Sequence, residues 1–308
     1  MPLVALVSYS GILGGAERVL VDFARALEGE RVLACPPGDL ADAASAAGLR
    51  VLPLRRRPLE ARGSALRVAR AGLELTAHAR ETRRLVRDLD PDLVIVSGMR
   101  SAVALLLGRS PEAPVLFDHH DFLPPGVAGA LVRRASARAQ LTVVPSSAVA
   151  VDLGLDAEVV SPGVDVASFD ATRAPAQPPE LLLLGALVPW KRPDLALEIL
   201  ARARRELPEL RLVIAGAPLD GAGEGLLRSL RAQASSLGVA EAVSFAGQLA
   251  DVRDALARAA CLLHCAPTEP FGVALVEALA SGRPVIAPDA GGPAEILDPT
   301  CAVLYPAG

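Results

Sequence analysis

Residues 181–200 read LLLLGALVPWKRPDLALEIL. Leu181 to Leu184 form an apolar run of strand length, the pattern of a parallel strand buried on both faces, and the run ends at a glycine. Outward from it, short apolar runs at Leu210–Ala215, Ala242–Phe245, Cys261–Cys265 and Val285–Ala287 alternate with helix-like stretches. That rhythm predicts a doubly wound parallel sheet. The N-terminal half repeats it. Leu3 to Ser8 read as a buried strand, followed by a glycine-rich turn at Gly11–Gly15 and a helix with Val19, Leu20, Phe23, Ala24 and Leu27 on one face. Further strands are expected at Asp92–Val96, Val115–Asp118 and Leu141–Val144. Between the two series lies Ala171–Pro179, rich in Ala and Pro and unsuited to helix or ladder. The fold class is therefore α/β, with two Rossmann-like doubly wound domains: residues 1–172, a linker at 173–179, and residues 180–308.

Composition agrees. The 308 residues are 52% apolar and only 3% aromatic, with a net charge of −4. This is ample for two cores and speaks against a nucleic-acid partner, which would need a basic or base-stacking surface. The four cysteines, Cys35, Cys261, Cys265 and Cys301, have neither zinc-site spacing nor the density of a disulfide framework, so a cytoplasmic setting is expected. MPLVALVSYSG lacks the regions of a signal peptide, and Val103–Leu107 is too short to span a bilayer. One stretch departs from even charge: ten arginines fall between Arg55 and Arg87. Leu66, Ala69, Leu73, Ala77 and Leu85 there suggest a packed helix with a solvated basic face, and that face could also make a peripheral contact with anionic lipid.

Candidate chemistry gathers in three places. Of 31 basic residues, one is a lysine, Lys191, placed after the first strand of the second domain, where such sheets bind ligands. A compact ammonium suits a phosphate contact, and Arg192 beside it could add a forked one. Second, CAPTEPFGVALVEALASGRPVIAPDAGGPAEIL (265–297) puts Glu269 at a strand end, where it could take hydrogen bonds from sugar hydroxyls. Glu277 follows on a helix, within reach of a ribose, and the amides near Phe271, Gly272 and Val273 open that helix toward diphosphate or sugar oxygens. Third, Gly14 and Gly15 begin the first helix, where a diphosphate could approach the backbone. The turn has neither Gly-x-Gly-x-x-Gly nor Gly-Lys-Ser/Thr, which disfavours a nicotinamide enzyme and a P-loop. The run DHHD (118–121) suits positioning of a reacting hydroxyl better than metal ligation, and no metal is expected at Cys261, His264 and Cys265, which read as core.

Together these segments resemble the family 4 retaining glycosyltransferases, which have the two-Rossmann GT-B fold. GGAERV (14–19), SPGVDVASF (161–169), GALVPWKRPDLALE (185–198) and EPFGVALVEALASGRPVIA (269–287) occur in that family's order and spacing, over nearly the whole chain. The resemblance implies a metal-independent transfer, with retention, of a hexose-type sugar from a nucleoside diphosphate sugar to an acceptor hydroxyl. The donor is a co-substrate held in the interdomain cleft, and no cofactor is implied. Gly15 and Lys191 would contact the diphosphate, Glu269 the transferred sugar and Glu277 the ribose. His120 would sit near the reacting sugar, with His119 as the fallback. A lipid, a glycan and a small molecule all stay open as acceptor. Two departures stand out. Ala186 occupies a position where many members carry arginine, with Arg192 as the candidate to compensate, and the C-terminal domain lacks the last helices usual in the family. A non-catalytic sugar-nucleotide-binding subunit, or an epimerase or phosphorylase on the same fold, are the alternatives.

Overall fold

The computed structural model describes all residues except 58–64, 109–110, 219–220 and 308, and the side chains of 65–68 and 221–223 are likewise outside the description. Its contacts divide the chain into two units, Met1–Ser161 and Pro162–Gly308.

The first unit contains β1 (Leu3–Ser8), α1 (Gly15–Ala26), β2 (Glu30–Cys35), α2 (Asp39–Ala46), β3 (Arg50–Pro53), α3 (Ala65–Leu89), β4 (Leu93–Ser97), α4 (Met99–Leu106), β5 (Val115–Asp118), α5 (Val127–Ser136), β6 (Leu141–Val144), α6 (Ser147–Leu153) and β7 (Glu158–Val159). Its strands are all parallel, in the order β3-β2-β1-β4-β5-β6-β7. The apolar runs are continuous because both faces are covered. Val4 and Leu6 pack with Leu20 and Ala24 of α1, while Val7 joins Val94 and Val96 under Leu105 of α4. Side chains alternate across a strand, so one run serves two cores.

The second unit contains β8 (Glu180–Leu184), α7 (Pro193–Ala203), β9 (Arg211–Ala215), α8 (Gly221–Ser236), β10 (Val243–Gly247), α9 (Arg253–Arg258), β11 (Cys261–Leu263), α10 (Val273–Ala280), β12 (Val285–Pro288), α11 (Gly292–Ile296) and β13 (Ala302–Tyr305). The order is β10-β9-β8-β11-β12-β13, again parallel. Leu181 and Leu183 face Leu197 and Leu200 of α7, and Leu182 faces Leu275 and Ala278 of α10. In each sheet the direction of winding reverses between the first and fourth strands, β1 and β4 in one and β8 and β11 in the other. The carboxyl ends of those strands are where such sheets bind ligands.

Some local features add to the reading of the sequence, and the buried faces of two helices correct it. The division of contacts falls ahead of residue 172, and the stretch 173–179 is fastened to the second unit: Ala176 N donates to Arg258 O (2.8 Å), Arg173 pairs with Asp254 (2.6 Å), and Arg283 Nη2 donates to Arg173 O. On α3 the buried side is Ala71, His78, Ala79, Thr82 and Val86, not the stripe through Leu73, which is 74% exposed. This helix packs through small and polar side chains, so counting leucines gives the wrong phase. Phe23 likewise faces outward on α1, while Val21 is buried. Arg62 of the basic stretch lies outside the described residues, as do the side chains of Leu66 and Arg67. No helix among the described residues is long and apolar enough to cross a membrane.

Candidate active site

In the second unit the site is built on the loops after β8 and β11. β8 is followed by Gly185, whose φ of 142° favours glycine; a Cβ there would lie 3.4 Å from Lys191 Cδ. Leu187, buried in the core, and its amide bond to Ala217 O (3.0 Å) anchor the loop. A single 3-10 turn, Pro189–Lys191, then delivers the lysine, and Arg192 in the left-handed region (φ 52°) turns the chain into α7.

Across the junction, the segment after β11 carries Glu269. Its carbonyl accepts from Gly292 N (2.9 Å), and a Cβ on Gly291 would come within 2.5 Å of the same oxygen. The two glycines after β12 therefore let the Glu269 loop close down on α11. Gly272 (φ 101°) caps α10, and the first bond of that helix runs from Leu275 N to Gly272 O (2.9 Å). As at any helix start, the amides just after the cap have no acceptor inside the helix. Phe271 is buried, Gly272 forms the cap and Val273 is the first helical residue, while Glu277 sits half-buried one turn on.

Lys191 Nζ donates to Glu269 Oε2 at 2.8 Å, and the carboxylate side chain is 9% exposed. The structure thus joins the two residues expected to meet the diphosphate and the sugar, although 78 positions separate them. The ammonium also lies 4.8 Å from the centre of the half-exposed Trp190 ring. A third residue, His264, was read from sequence as core. It is buried, yet its Nε2 stands 3.5 Å from Glu269 Oε2. Burial drives its pKa down to about 4, against the pull of Glu269 and helped by Lys191, so the ring is neutral. Its placement at the carboxyl end of the fourth strand of its unit was the available signal. Next to Lys191 in the chain, the half-exposed Arg192 guanidinium is forked onto Asp194 (Nε to Oδ2 3.0 Å, Nη2 to Oδ2 3.0 Å).

In the first unit, β1 leads into the glycine turn and β5 into the histidines. Gly14 caps α1, and its amide is already taken by Glu17 Oε2 (3.1 Å), a capping arrangement that sequence reading missed. Gly15 follows as the first helical residue. Burial raises the Glu17 pKa, only partly offset by hydrogen bonds from Gly14 and its own backbone. The chain continues extended past β5, with His119 N bonded to Val143 O (2.9 Å), so side chains keep alternating. Phe117 and His119 go to one side, ring centres 5.1 Å apart, and His119 is fully buried with neither ring nitrogen partnered. Burial lowers its pKa to about 4, with the neighbouring His120 adding to the shift.

Asp118 and His120 go to the other side. His120 Nε2 stands 2.7 Å from Asp118 Oδ1, and Ser97 Oγ donates to Asp118 Oδ2 at 2.9 Å. Burial opposes the charged ring, but the contact with Asp118 and the charges of Asp121 and Glu17 outweigh it, and the His120 pKa is raised. Tyr9, under the Arg100 guanidinium at 4.9 Å, completes this end of the sheet. Among the described residues no group of three His, Cys, Asp or Glu side chains is arranged to hold a metal ion.

Two family models account for most of the chain. Residues 13–168 match Glycosyltransferase Family 4 and residues 167–304 match Glycosyl transferases group 1. The chain belongs to the family 4, group 1 glycosyltransferases. A D-inositol 3-phosphate glycosyltransferase of Stackebrandtia nassauensis is 36% identical over 198 residues, which are 61% of this chain and 39% of that protein. One from a Mycobacterium species is 38% identical over 148 residues, 44% of this chain and 32% of that protein. The chain therefore spans less than half the length of these curated relatives. Among solved structures, Anabaena Alr3699/HepE in complex with UDP-glucose superposes with a TM-score of 0.84 at 21% identity, covering 99% of this chain and 86% of the other. Sucrose-phosphate synthase from Thermosynechococcus elongatus gives 0.79 at 18% identity, covering 100% and 86%. These likenesses establish the GT-B fold.

Proposed function

We propose that the protein is a retaining, metal-independent glycosyltransferase that moves a hexose-type sugar from a nucleoside diphosphate sugar to an acceptor hydroxyl. The observation that carries this reading is the Lys191–Glu269 pair at the β8/β11 junction, 2.8 Å apart, with a helix start two residues beyond Phe271. An ammonium and free helix-start amides stabilise the charge that develops on a departing nucleoside diphosphate without a cation. In this reading Lys191 and the amides of Phe271 to Val273 hold the diphosphate, Glu269 orients the sugar, and Glu277 binds the ribose. Residues 180–308 are the donor side and the N-terminal domain the acceptor side, contributing His120 beside the reacting sugar and the backbone at Gly14 and Gly15. Because Gly14 N is held by Glu17, Gly15 carries the backbone contact of that turn. The acceptor attacks the face that the phosphate leaves, and the departing phosphate takes the acceptor proton.

The relatives narrow the first probes. HepE is described in complex with UDP-glucose, and the curated relatives are named for D-inositol 3-phosphate, so a uridine-linked hexose and a phosphorylated polyol are the pair to try first. A peripheral contact with anionic lipid through the exposed face of α3, where Arg70, Leu73, Arg80, Arg84 and Arg87 share one side, extends the reading to lipid acceptors. A second reading, a non-catalytic sugar-nucleotide-binding subunit, draws on one observation: Arg192, the candidate to compensate for Ala186, is engaged with Asp194.

A thermal-shift panel of UDP-, GDP-, ADP- and dTDP-glucose, followed by turnover with each stabilising donor, tests both readings. Stabilisation by one donor, with sugar transferred, is the expected result. Stabilisation without turnover under any acceptor favours the binding subunit, and a folded chain that no donor stabilises overturns the donor-site assignment.

A further inference from the structure

The residues around His120 form a chain of contacts that the proposed transfer does not by itself require. Ser97 is the last residue of β4 and Asp118 the last of β5, and the parallel register sets them opposite each other. Ser97 is buried and donates through Oγ to Asp118 Oδ2 (2.9 Å), while the other carboxylate oxygen meets His120 Nε2 (2.7 Å). One carboxylate thus spans a fixed hydroxyl on a central strand and an imidazole on the loop beyond the sheet.

We infer that Ser97 and Asp118 are positioning residues for His120: the hydroxyl fixes the carboxylate rotamer, and the carboxylate, by its charge beside Nε2, fixes the ring and favours its protonated form. This rests on the reading of His120 as a residue beside the reacting sugar. Three features of the geometry support this. A free carboxylate at a strand end rotates about χ2, and a donor on the neighbouring strand removes that freedom. His120 Nε2 lies 2.7 Å from the carboxylate as a charge contact, off the line of a hydrogen bond, and this leaves Nδ1 as the nitrogen that could meet a substrate. The alternation of the extended chain sends His119 into the core, so the arrangement selects one histidine of the pair. The other charged or titratable groups facing His120 are Asp121 in the same loop and Glu17 on α1, with His119 adjacent in the chain. Tyr9, with Arg100 over its ring, faces the same Asp121 and Glu17 carboxylates. Three carboxylates near one imidazole favour its protonated form, and Asp118 stands 2.7 Å from it.

The test follows the imidazole itself. In the 308-residue chain, NMR titration of the histidine ring protons is run on the wild type and on the Asp118→Asn, Ser97→Ala and Ser97→Thr variants, with His120→Gln to assign the signal among four histidines. Asp118→Asn is expected to lower the proton affinity of His120 by about tenfold or more, because an amide keeps the shape without the charge. Ser97→Ala is expected to lower it by about threefold as the freed carboxylate turns away, and Ser97→Thr to restore it, since the hydroxyl returns. His264, in the other unit, serves as the internal control and should not move. An unchanged His120 midpoint in Asp118→Asn overturns the inference, and an unchanged midpoint in Ser97→Ala removes Ser97 from it. In turnover assays the serine variant should lose kcat with the donor KM unchanged, whereas a lesion that acts only through stability would move neither the midpoint nor that ratio. A wild type without turnover would count against the transferase reading alone, because the titration needs no activity.

Discussion

The two units use one scaffold to make two different electrostatic environments. In both, the first strand leads through glycine into a loop and helix, and the fourth lies beside it at the reversal of winding. The second unit places there a lysine, a buried carboxylate and a histidine kept neutral by burial. The first places there Glu17, Asp118 and Asp121 around a histidine that favours its proton. The histidines differ because of what faces them. His264 has one carboxylate at 3.5 Å that is already neutralised by Lys191, while His120 touches Asp118 at 2.7 Å and has two more acids near. Topology thus fixes where the chemistry stands, and side chains at strand ends decide its sign.

The largest effect should come from breaking the lysine pair. Lys191→Ala strands the Glu269 carboxylate and should cost on the order of 3 kcal/mol of stability in denaturant unfolding as well as donor binding. Glu269→Gln should cost less, because a partly exposed ammonium can turn to water. Equal costs would mean that the pair is not the electrostatic centre of its unit.

Acid sharpens the contrast. For His119 and His264, with folded pKa values of about 4 against 6.5, the neutral form stabilises the fold above pH 6.5, and that contribution is lost as pH falls toward 4. Each is worth on the order of 3 kcal/mol. The raised pKa of His120 works in the other direction: its contribution is present below 6.5 and is lost as pH rises through the folded value. His119→Leu should therefore raise the melting temperature at pH 5 more than at pH 8, and His120→Gln should flatten the decline above pH 6.5. Parallel melting curves across pH would contradict both.

Smaller effects follow from backbone fit. Gly291→Ala puts a Cβ within 2.5 Å of Glu269 O at a φ of 62°, and should cost about 2 kcal/mol and weaken donor binding, measured by unfolding and by calorimetry. Glu17→Ala removes the carboxylate that caps Gly14 and should cost about 1 kcal/mol. Smallest of all is a spectroscopic signal. Trp190 is the single tryptophan, so donor binding that draws Lys191 off its ring should change the emission of the whole chain.

How much of this could be read beforehand depended on the kind of pattern. Strands buried on both faces announce themselves as uninterrupted apolar runs, and those at Val115–Asp118 and Leu141–Val144 fall where they were expected. β2 has a mixed apolar run that could equally belong to a helix, and β7 is two exposed residues long; neither was anticipated. The phase of α3 was misread because its packed face is made of Ala, His and Thr. At the site, motif spacing singled out Lys191 and Glu269. It did not reveal His264 or Ser97, since each acquires its role from a neighbour on another strand or at a loop closure, and the Glu17 cap, though local, was not read from the Gly-x-x-Glu spacing.

The most direct test of the account is calorimetric titration of the four nucleoside diphosphate glucoses into the wild type, Lys191→Ala and His120→Gln. The account predicts that one donor binds the wild type, that Lys191→Ala abolishes binding, and that His120→Gln keeps it within about tenfold. Undiminished binding to a folded Lys191→Ala chain would contradict it.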